Sequence, residues 1–83
     1  MRDLYLDIIT PDRKVYSDEI KLIQVPGSKA PFAVLRNHAP ILSTLDEGRI
    51  RIVDKNNKEI FYQIEGGIIE VMNNKVIILA ETI

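Results

Sequence analysis

Side chains that can perform nucleophilic or acid–base chemistry lie close together in one stretch of the sequence: His38, Ser43, Asp46 and Glu47. A histidine beside a hydroxyl nucleophile and an orienting carboxylate is the arrangement of a hydrolytic triad. Triads are assembled from distant parts of a fold, however, and hydroxyls and carboxylates occur in most loops. Closeness in sequence is therefore weak evidence. We predict no catalytic residue and a structural role for His38.

A metal or cofactor site has little support in the composition. The chain has one histidine and no cysteine, which leaves too few neutral or soft ligands for zinc. Scattered carboxylates on loops usually face water. The sequence therefore predicts no metal and no cofactor, and without cysteine it also excludes a disulfide scaffold.

A lysine at a polar hairpin tip provides an alternative function. Asp54 and Lys55 begin the stretch 54–58, and this pair resembles the lysine presentation of lipoyl and biotinyl carrier domains, which are also small all-β folds. The residues that flank the pair in those carriers are missing here, and charged hairpin tips usually serve solubility. A carrier domain with Lys55 as the acceptor remains the alternative.

The charge balance argues against nucleic acid as a partner. The chain carries 11 basic and 12 acidic residues, for a net charge of -1, whereas a protein that neutralises many phosphates is expected to be basic. Tyr5, Tyr16 and Tyr62 could form a stacking platform, but tyrosines more often complete a core or its rim. The apolar runs fall short of the ~20 residues that a membrane-spanning helix needs.

Apolar and polar residues alternate with the period of a β-strand through most of the chain. The stretch Arg49 to Val53 is the clearest example. No amphipathic helix is convincing, and the best helical candidate, Ala39 to Leu45, contains Pro40 and is limited to a turn or two. Turn signals every 8 to 12 residues predict an all-β fold, a sandwich or small barrel of about nine short strands. The length predicts a single domain over residues 1–83.

Several local features follow from residue types. The apolar register changes parity between Leu22 and Ile23, which predicts a β-bulge or a strand covered on both faces. Pro26 and Gly27 favour a type II turn within a loop over 26–30. Asn73-Asn74 favours a tight primed turn, and Gly66-Gly67 a bulge or a close backbone approach. Apolar residues on both parities, in 68–69 and 76–79, predict that a protein partner covers one outer sheet face.

Separate blocks, taken together and in order, resemble one known family. The chain is similar to the N-terminal domain of the epsilon subunit of F-type ATP synthases. Its opening strand, Leu4 to Thr10, also fits, so the resemblance covers essentially the whole chain, and several blocks in register are more specific than one motif. The blocks are Ile23–Ser28, His38–Leu42, Gly48–Ile52, Gly66–Val71 and Val76–Thr82.

The resemblance implies a non-catalytic rotor subunit. Such a subunit is a flattened two-sheet β-sandwich of ten strands at the foot of the central stalk, seated against the gamma subunit and the ring of c subunits. It helps couple proton or sodium flow to ATP synthesis. The resemblance also implies a peripheral position on the cytoplasmic face of the bacterial inner membrane, with membrane contact only through the complex. The implied gamma-interface residues are Thr10, His38, Ala39, Pro40, Leu42 and Ser43, and the implied ring-facing loop is Gly27, Ser28, Lys29, Ala30 and Pro31.

The chain also departs from the family pattern. Ala30, Pro31 and Ala33 stand where the family usually has glycines and an acidic residue, which predicts a stiffer and less acidic ring-facing loop. Asn37 replaces a glycine before the histidine, but asparagine can adopt the same left-handed backbone. Family members commonly continue into a two-helix domain that inhibits ATP hydrolysis and in some members binds ATP. The resemblance therefore implies neither property for a chain that stops at Ile83.

Overall fold

The computed structural model describes residues 3–81, and within them every regular element is a β-strand. The all-β prediction is therefore confirmed, with eight strands in the described part rather than nine to ten. Thr82, the end of the last block quoted above, lies outside the described residues. The strands are β1 (Leu4–Ile9), β2 (Lys14–Val25), β3 (Phe32–Leu35), β4 (Ile41–Leu45), β5 (Gly48–Asp54), β6 (Glu59–Ile64), β7 (Gly67–Met72) and β8 (Lys75–Ala80).

Strand β2 accounts for the lower number of strands, because two short apolar runs of the sequence form one long strand of 12 residues. Its first part pairs antiparallel with β1. Its last part pairs with β5 on one side and with β3 on the other. The register against β5 shifts between Ile20 and Leu22, so the predicted bulge is confirmed, slightly earlier than the sequence suggested.

The strands form one sheet in the order β4-β7-β8-β1-β2-β5-β6, with β3 added beside β2. All eight strands contribute side chains to a single buried cluster, which requires the sheet to curl around its inner face. Strands β1 and β8 pair in parallel, and the other strand pairs are antiparallel. Tyr16 and Tyr62 pack edge to face against each other, with ring centroids 6.4 Å apart, and both lie against this cluster. They complete the core and form no platform with Tyr5.

The two hairpins predicted from asparagine-rich turns are present. Asn73 and Asn74 have φ angles of 51° and 63°, as a primed turn between β7 and β8 requires. Between β5 and β6, Asn57 has a φ of 64°, and the Asp54 carboxylate accepts hydrogen bonds from the backbone of Asn56 and Lys58. These side-chain to backbone bonds close the tip.

At two places the structure decides between alternatives or corrects a local prediction. Residues 39–45 contain strand β4 instead of a helical turn, because apolar residues at 41, 42 and 45 suit either element and pairing with β7 decides between them. Gly27 does not have the positive φ angle of a type II turn. It forms an isolated antiparallel bridge with Leu45, and a Cβ atom there would lie 2.6 Å from the Ala30 carbonyl oxygen. Glycine is needed at that position for close packing.

The predicted close approach at Gly66-Gly67 is confirmed. Gly66 has a φ of 150°, a backbone conformation that residues with a side chain rarely adopt. A Cβ atom on Gly67 would collide with the backbone carbonyl oxygen of Leu79 on the neighbouring strand. The absence of a side chain lets β7 approach β8 at the start of their pairing.

Candidate partner-binding surface

Strands β4, β7, β8 and β1 lie side by side, and alternate side chains of each strand point away from the core. The buried residues of β7, Ile69 and Val71, fix which side faces inward. The side chains on the opposite side form the surface that we call the outer face. Its residues are Tyr5, Asp7, Ile9, Leu42, Thr44, Ile68, Glu70, Met72, Lys75, Ile77 and Leu79.

The outer face exposes large apolar side chains. Leu42 on the edge strand β4 is 72% exposed, and Met72, Leu79 and Ile68 are 51%, 50% and 44% exposed. The pairing places Ile68 between Leu79 and Thr44 in one cross-strand row. Adjacent exposed apolar side chains of this size mark surfaces that other proteins cover.

Two grooves open on this surface. The larger has a volume of about 600 Å³ and is lined by Thr10, Thr44, Ile68 and Leu79, among other residues. The smaller, of about 210 Å³, is lined by residues that include Pro40 and Leu42. Concave apolar sites of this kind accept side chains of a binding partner.

The segment that contains His38 is attached to the β7–β8 hairpin. Asn37 adopts the predicted left-handed conformation, with a φ of 67°, and its backbone N–H donates to the side-chain oxygen of Asn74. The Asn74 amide donates in return to the Asn37 side chain at 3.2 Å. His38 Nδ1 lies 2.7 Å from the Ala39 carbonyl oxygen. The backbone leading into Pro40 is therefore held beside the outer face.

The structure brings together part of the set of predicted gamma contacts. Thr10 lines the larger groove, while Pro40 and Leu42 line the smaller one. His38 and Ala39 lie in the loop before β4. Ser43, half-buried, has the parity of the core-facing residues of β4, and its hydroxyl donates to the Thr44 carbonyl at 3.0 Å. Ser43 thus lies on the opposite side of the strand from Leu42.

The residue-by-residue prediction missed Ile68, Met72 and Leu79, which contribute much of the exposed apolar area. The signal for two of them was present in the sequence. Ile68-Ile69 and Ile78-Leu79 are adjacent apolar pairs, and neighbouring residues of a strand point to opposite faces. One member of each pair must therefore point outward.

The predicted ring-facing loop, 27–31, lies beside the end of β4. The Ser28 backbone N–H donates to the Thr44 carbonyl at 3.0 Å, and the Ser28 hydroxyl donates to Asp46 Oδ1 at 2.9 Å. Residues 28–31 are exposed. The loop is therefore available for contact but is attached at one end to the strand that borders the outer face.

Asp7 is one of three charged residues of the outer face, with Glu70 and Lys75. Its side chain is largely buried, with Lys75 Nζ 2.9 Å from Oδ2 and Lys14 Nζ 3.6 Å from Oδ1. Burial of the carboxyl group raises its pKa. Hydrogen bonding from Ser17 and Lys75 and the positive charges of Lys75 and Lys14 outweigh burial, and the pKa of Asp7 is lowered from its ordinary value. The charged form of Asp7 therefore stabilises the folded state.

This pKa shift predicts a pH dependence of stability. A carboxyl group whose folded pKa lies below the unfolded value of ~3.9 stabilises the protein above that value, and loses its contribution as the pH falls through the folded pKa. We expect Asp7→Asn to lower the free energy of unfolding by ~1–2 kcal/mol at pH 7. The difference from wild type should shrink as the pH falls through the folded pKa, because the wild-type carboxyl group is then protonated and uncharged like the amide. Urea denaturation followed by circular dichroism between pH 2 and 7 measures both. Asp12→Asn, in the exposed turn after β1, should leave the profile unchanged; an equal effect of both variants would contradict the assignment.

The residues considered for chemistry have other hydrogen-bonding partners. The Ser43 hydroxyl donates a hydrogen bond to the Thr44 carbonyl in its own strand, and the Asp46 carboxylate accepts a hydrogen bond from the Ser28 hydroxyl. Lys55 forms an ion pair with Asp18 at 3.2 Å and lies on the exposed β5–β6 tip. Within residues 3–81 no three metal-ligating side chains come together, and no helix there has the length and apolar character to cross a membrane.

Comparison with known sequences identifies relatives along almost the whole chain. The family model described as "ATP synthase, Delta/Epsilon chain, beta-sandwich domain" matches residues 3–83. The chain is 37% identical to the ATP synthase epsilon chain of Alkalilimnicola ehrlichii over 82 residues, which are 99% of this chain and 59% of that relative. It is 41% identical to the epsilon chain of Chlorobaculum tepidum over 78 residues, which are 94% of this chain and 89% of that relative.

Solved structures support the same fold. A chain in the cryo-EM structure of the Euglena gracilis mitochondrial ATP synthase, containing OSCP, F1 and the c ring, matches with a TM-score of 0.89 at 20% identity. The match covers 94% of this chain and 50% of that chain. The β-sandwich prediction is confirmed, and the chain belongs to the delta/epsilon family of ATP synthase subunits through their β-sandwich domain.

Proposed function

We propose that this protein is a non-catalytic rotor subunit of the central stalk of an F-type ATP synthase, and that its outer face binds the gamma subunit. The observation that carries the proposal is the exposed apolar surface around Leu42, Ile68 and Leu79, in a chain of the epsilon family. A monomeric protein rarely leaves so many adjacent apolar side chains in water. Burying these side chains against a partner removes apolar surface from water, which is the largest favourable contribution to the free energy of most protein associations.

The sheet architecture suits a part that transmits torque. Strands of the outer face are hydrogen-bonded to their neighbours across the sheet, and their inner side chains form part of one buried cluster. Close-packed interiors have low compressibility, so a force on one surface displaces the whole domain. This rigidity allows the subunit to turn with gamma.

The second part of the proposal concerns the ring. Residues 28–31 of loop 27–31 are exposed beside the end of β4, and we assign the loop to contact with the c ring. Binding to gamma and the ring together would couple proton or sodium flow to ATP synthesis. The subunit then lies peripherally on the cytoplasmic face of the bacterial membrane and contacts the membrane only through the complex.

A pull-down with the purified gamma subunit of the same organism tests the proposal. We expect gamma to be retained by the immobilised protein, and retention in 0.5 M NaCl to stay within about threefold of that at low salt, because apolar contacts are less sensitive to salt than exposed charge pairs. Adding c rings to the gamma complex should give a ternary complex. A wild-type protein that fails to retain gamma at micromolar concentrations would refute the proposal.

A further inference from the structure

A hydrogen-bonded side-chain relay links loop 27–31 to the edge strand of the outer face. The Thr44 hydroxyl donates to Ser28 Oγ at 2.8 Å, and the Ser28 hydroxyl donates to Asp46 Oδ1 at 2.9 Å. Thr44 lies in β4, Ser28 in the loop, and Asp46 in the turn after β4. One serine thus bonds both to the strand and to the turn that follows it.

Backbone contacts run parallel to this relay. Ser28 N–H donates to the Thr44 carbonyl at 3.0 Å, and Asp46 N–H donates to the Pro26 carbonyl at 2.8 Å. Between these two bonds, Gly27 and Leu45 form an antiparallel bridge. The start of the loop is therefore paired with the end of β4 like a short additional strand.

The loop has little freedom to move independently of this attachment. Pro26 and Pro31 fix the φ angle at both of its ends. A Cβ atom on Gly27 would lie 2.6 Å from the Ala30 carbonyl and 2.7 Å from the Phe32 ring, so the backbone there is tightly enclosed. The two prolines and the packing around Gly27 remain when the hydrogen bonds of the Ser28 hydroxyl to Thr44 and Asp46 are removed. Loss of these bonds should therefore increase the mobility of Ser28 without unfolding the core.

We propose that Asp46 is a positioning residue, which acts through Ser28 to hold loop 27–31 against β4, so that the surface for gamma and the surface for the c ring move as one rigid unit. The inference rests on the proposed function. Asp46 itself is exposed and lies outside both sets of predicted contacts. Its role is to accept the Ser28 hydrogen bond, and this distinguishes it from a residue that touches either partner.

Two substitutions separate the hydrogen bond from the charge. Asp46→Ala removes the acceptor, whereas Asp46→Asn removes the charge but keeps a side-chain oxygen that can accept from Ser28. We expect the Ser28 amide of Asp46→Ala to exchange with deuterium about 3- to 10-fold faster than in wild type, as the loss of one hydrogen bond predicts. Asp46→Asn should remain within about twofold of wild type. Equal exchange rates in both variants and wild type would overturn the proposal.

The functional test uses the complete complex with gamma and the c ring. We expect Asp46→Ala to weaken the attachment of the gamma-bound protein to the ring by about 3- to 10-fold and to leave its affinity for gamma within about twofold, with Asp46→Asn resembling wild type in both. A wild type that does not bind gamma would refute the proposed function itself. A wild type that binds both partners, with unchanged ring attachment in Asp46→Ala, would overturn this inference alone. A wild type that binds gamma but not the ring would refute the ring contact of the proposed function and this inference with it.

Discussion

Replacing Ile68 by aspartate should weaken binding of the gamma subunit by about 30-fold or more. Ile68 lies between Leu79 and Thr44 in one cross-strand row and lines the larger groove. A carboxylate there would be removed from water on binding, and its cross-strand neighbours Leu79 and Thr44 carry no positive charge to compensate it. Substitutions at the few dominant positions of an interface cost about 2 kcal/mol or more, and we expect Ile68 to be one of them. Titration calorimetry with purified gamma measures the change in affinity.

The matched control for this variant is Leu35→Asp. Leu35 is 52% exposed, slightly more than Ile68, but belongs to β3, which lies outside the outer face. We expect its affinity for gamma to stay within about twofold of wild type. Leu42→Asp provides a second test on the exposed edge strand, should Ile68→Asp reduce the folded fraction seen by circular dichroism. Equal losses in Leu35→Asp and both outer-face variants would contradict the location of the interface.

Replacing Leu6 by alanine should lower the free energy of unfolding by ~2–5 kcal/mol. Leu6 is fully buried, at the centre of β1, where it pairs with Asp18 of β2 and Val76 of β8. Deleting its side chain leaves a cavity that strands paired on both sides cannot close. For a domain of this size, whose total stability is expected to be ~4–12 kcal/mol, this is a large fraction. Urea denaturation at pH 7 measures it.

The same substitution at an exposed position is the control for this prediction. Leu42→Ala removes the same atoms from a side chain that is 72% exposed and should change the free energy of unfolding by less than ~0.5 kcal/mol. It should instead weaken gamma binding, which Leu6→Ala leaves intact wherever the variant remains folded. Similar losses of stability at both positions would show that the core is not where the burial of Leu6 places it.

Much of the local structure could be predicted because it depends on neighbouring residues. Alternation along Arg49–Val53 identified β5, and asparagine at 73 and 74 identified the turn between β7 and β8. The prediction failed where pairing with a distant strand decides the conformation. Residues 39–45 fit a helix or a strand equally, and only the partner β7 makes them β4.

The candidate site was less predictable for a related reason. Alternation shows which side chains share a face of one strand, but it does not show which strands are adjacent. The outer face exists because β4 pairs with β7, three elements later in the chain, which brings Leu42 beside Glu70 and Thr44 beside Ile68. The family resemblance supplied Thr10 and Leu42 residue by residue. Ile68 and Leu79 joined them only once the strand order was known.

The parallel pairing of β1 with β8 constrains how the chain can fold during synthesis. Leu6 of the first strand is hydrogen-bonded in register with Val76 of the last, so one edge of β1 has no partner until β8 leaves the ribosome. A nascent chain therefore carries an open strand edge until β8 is made, and association with other chains is a hazard during that time. The sheet that carries the outer face is therefore complete only after β8 has been made and paired with β1.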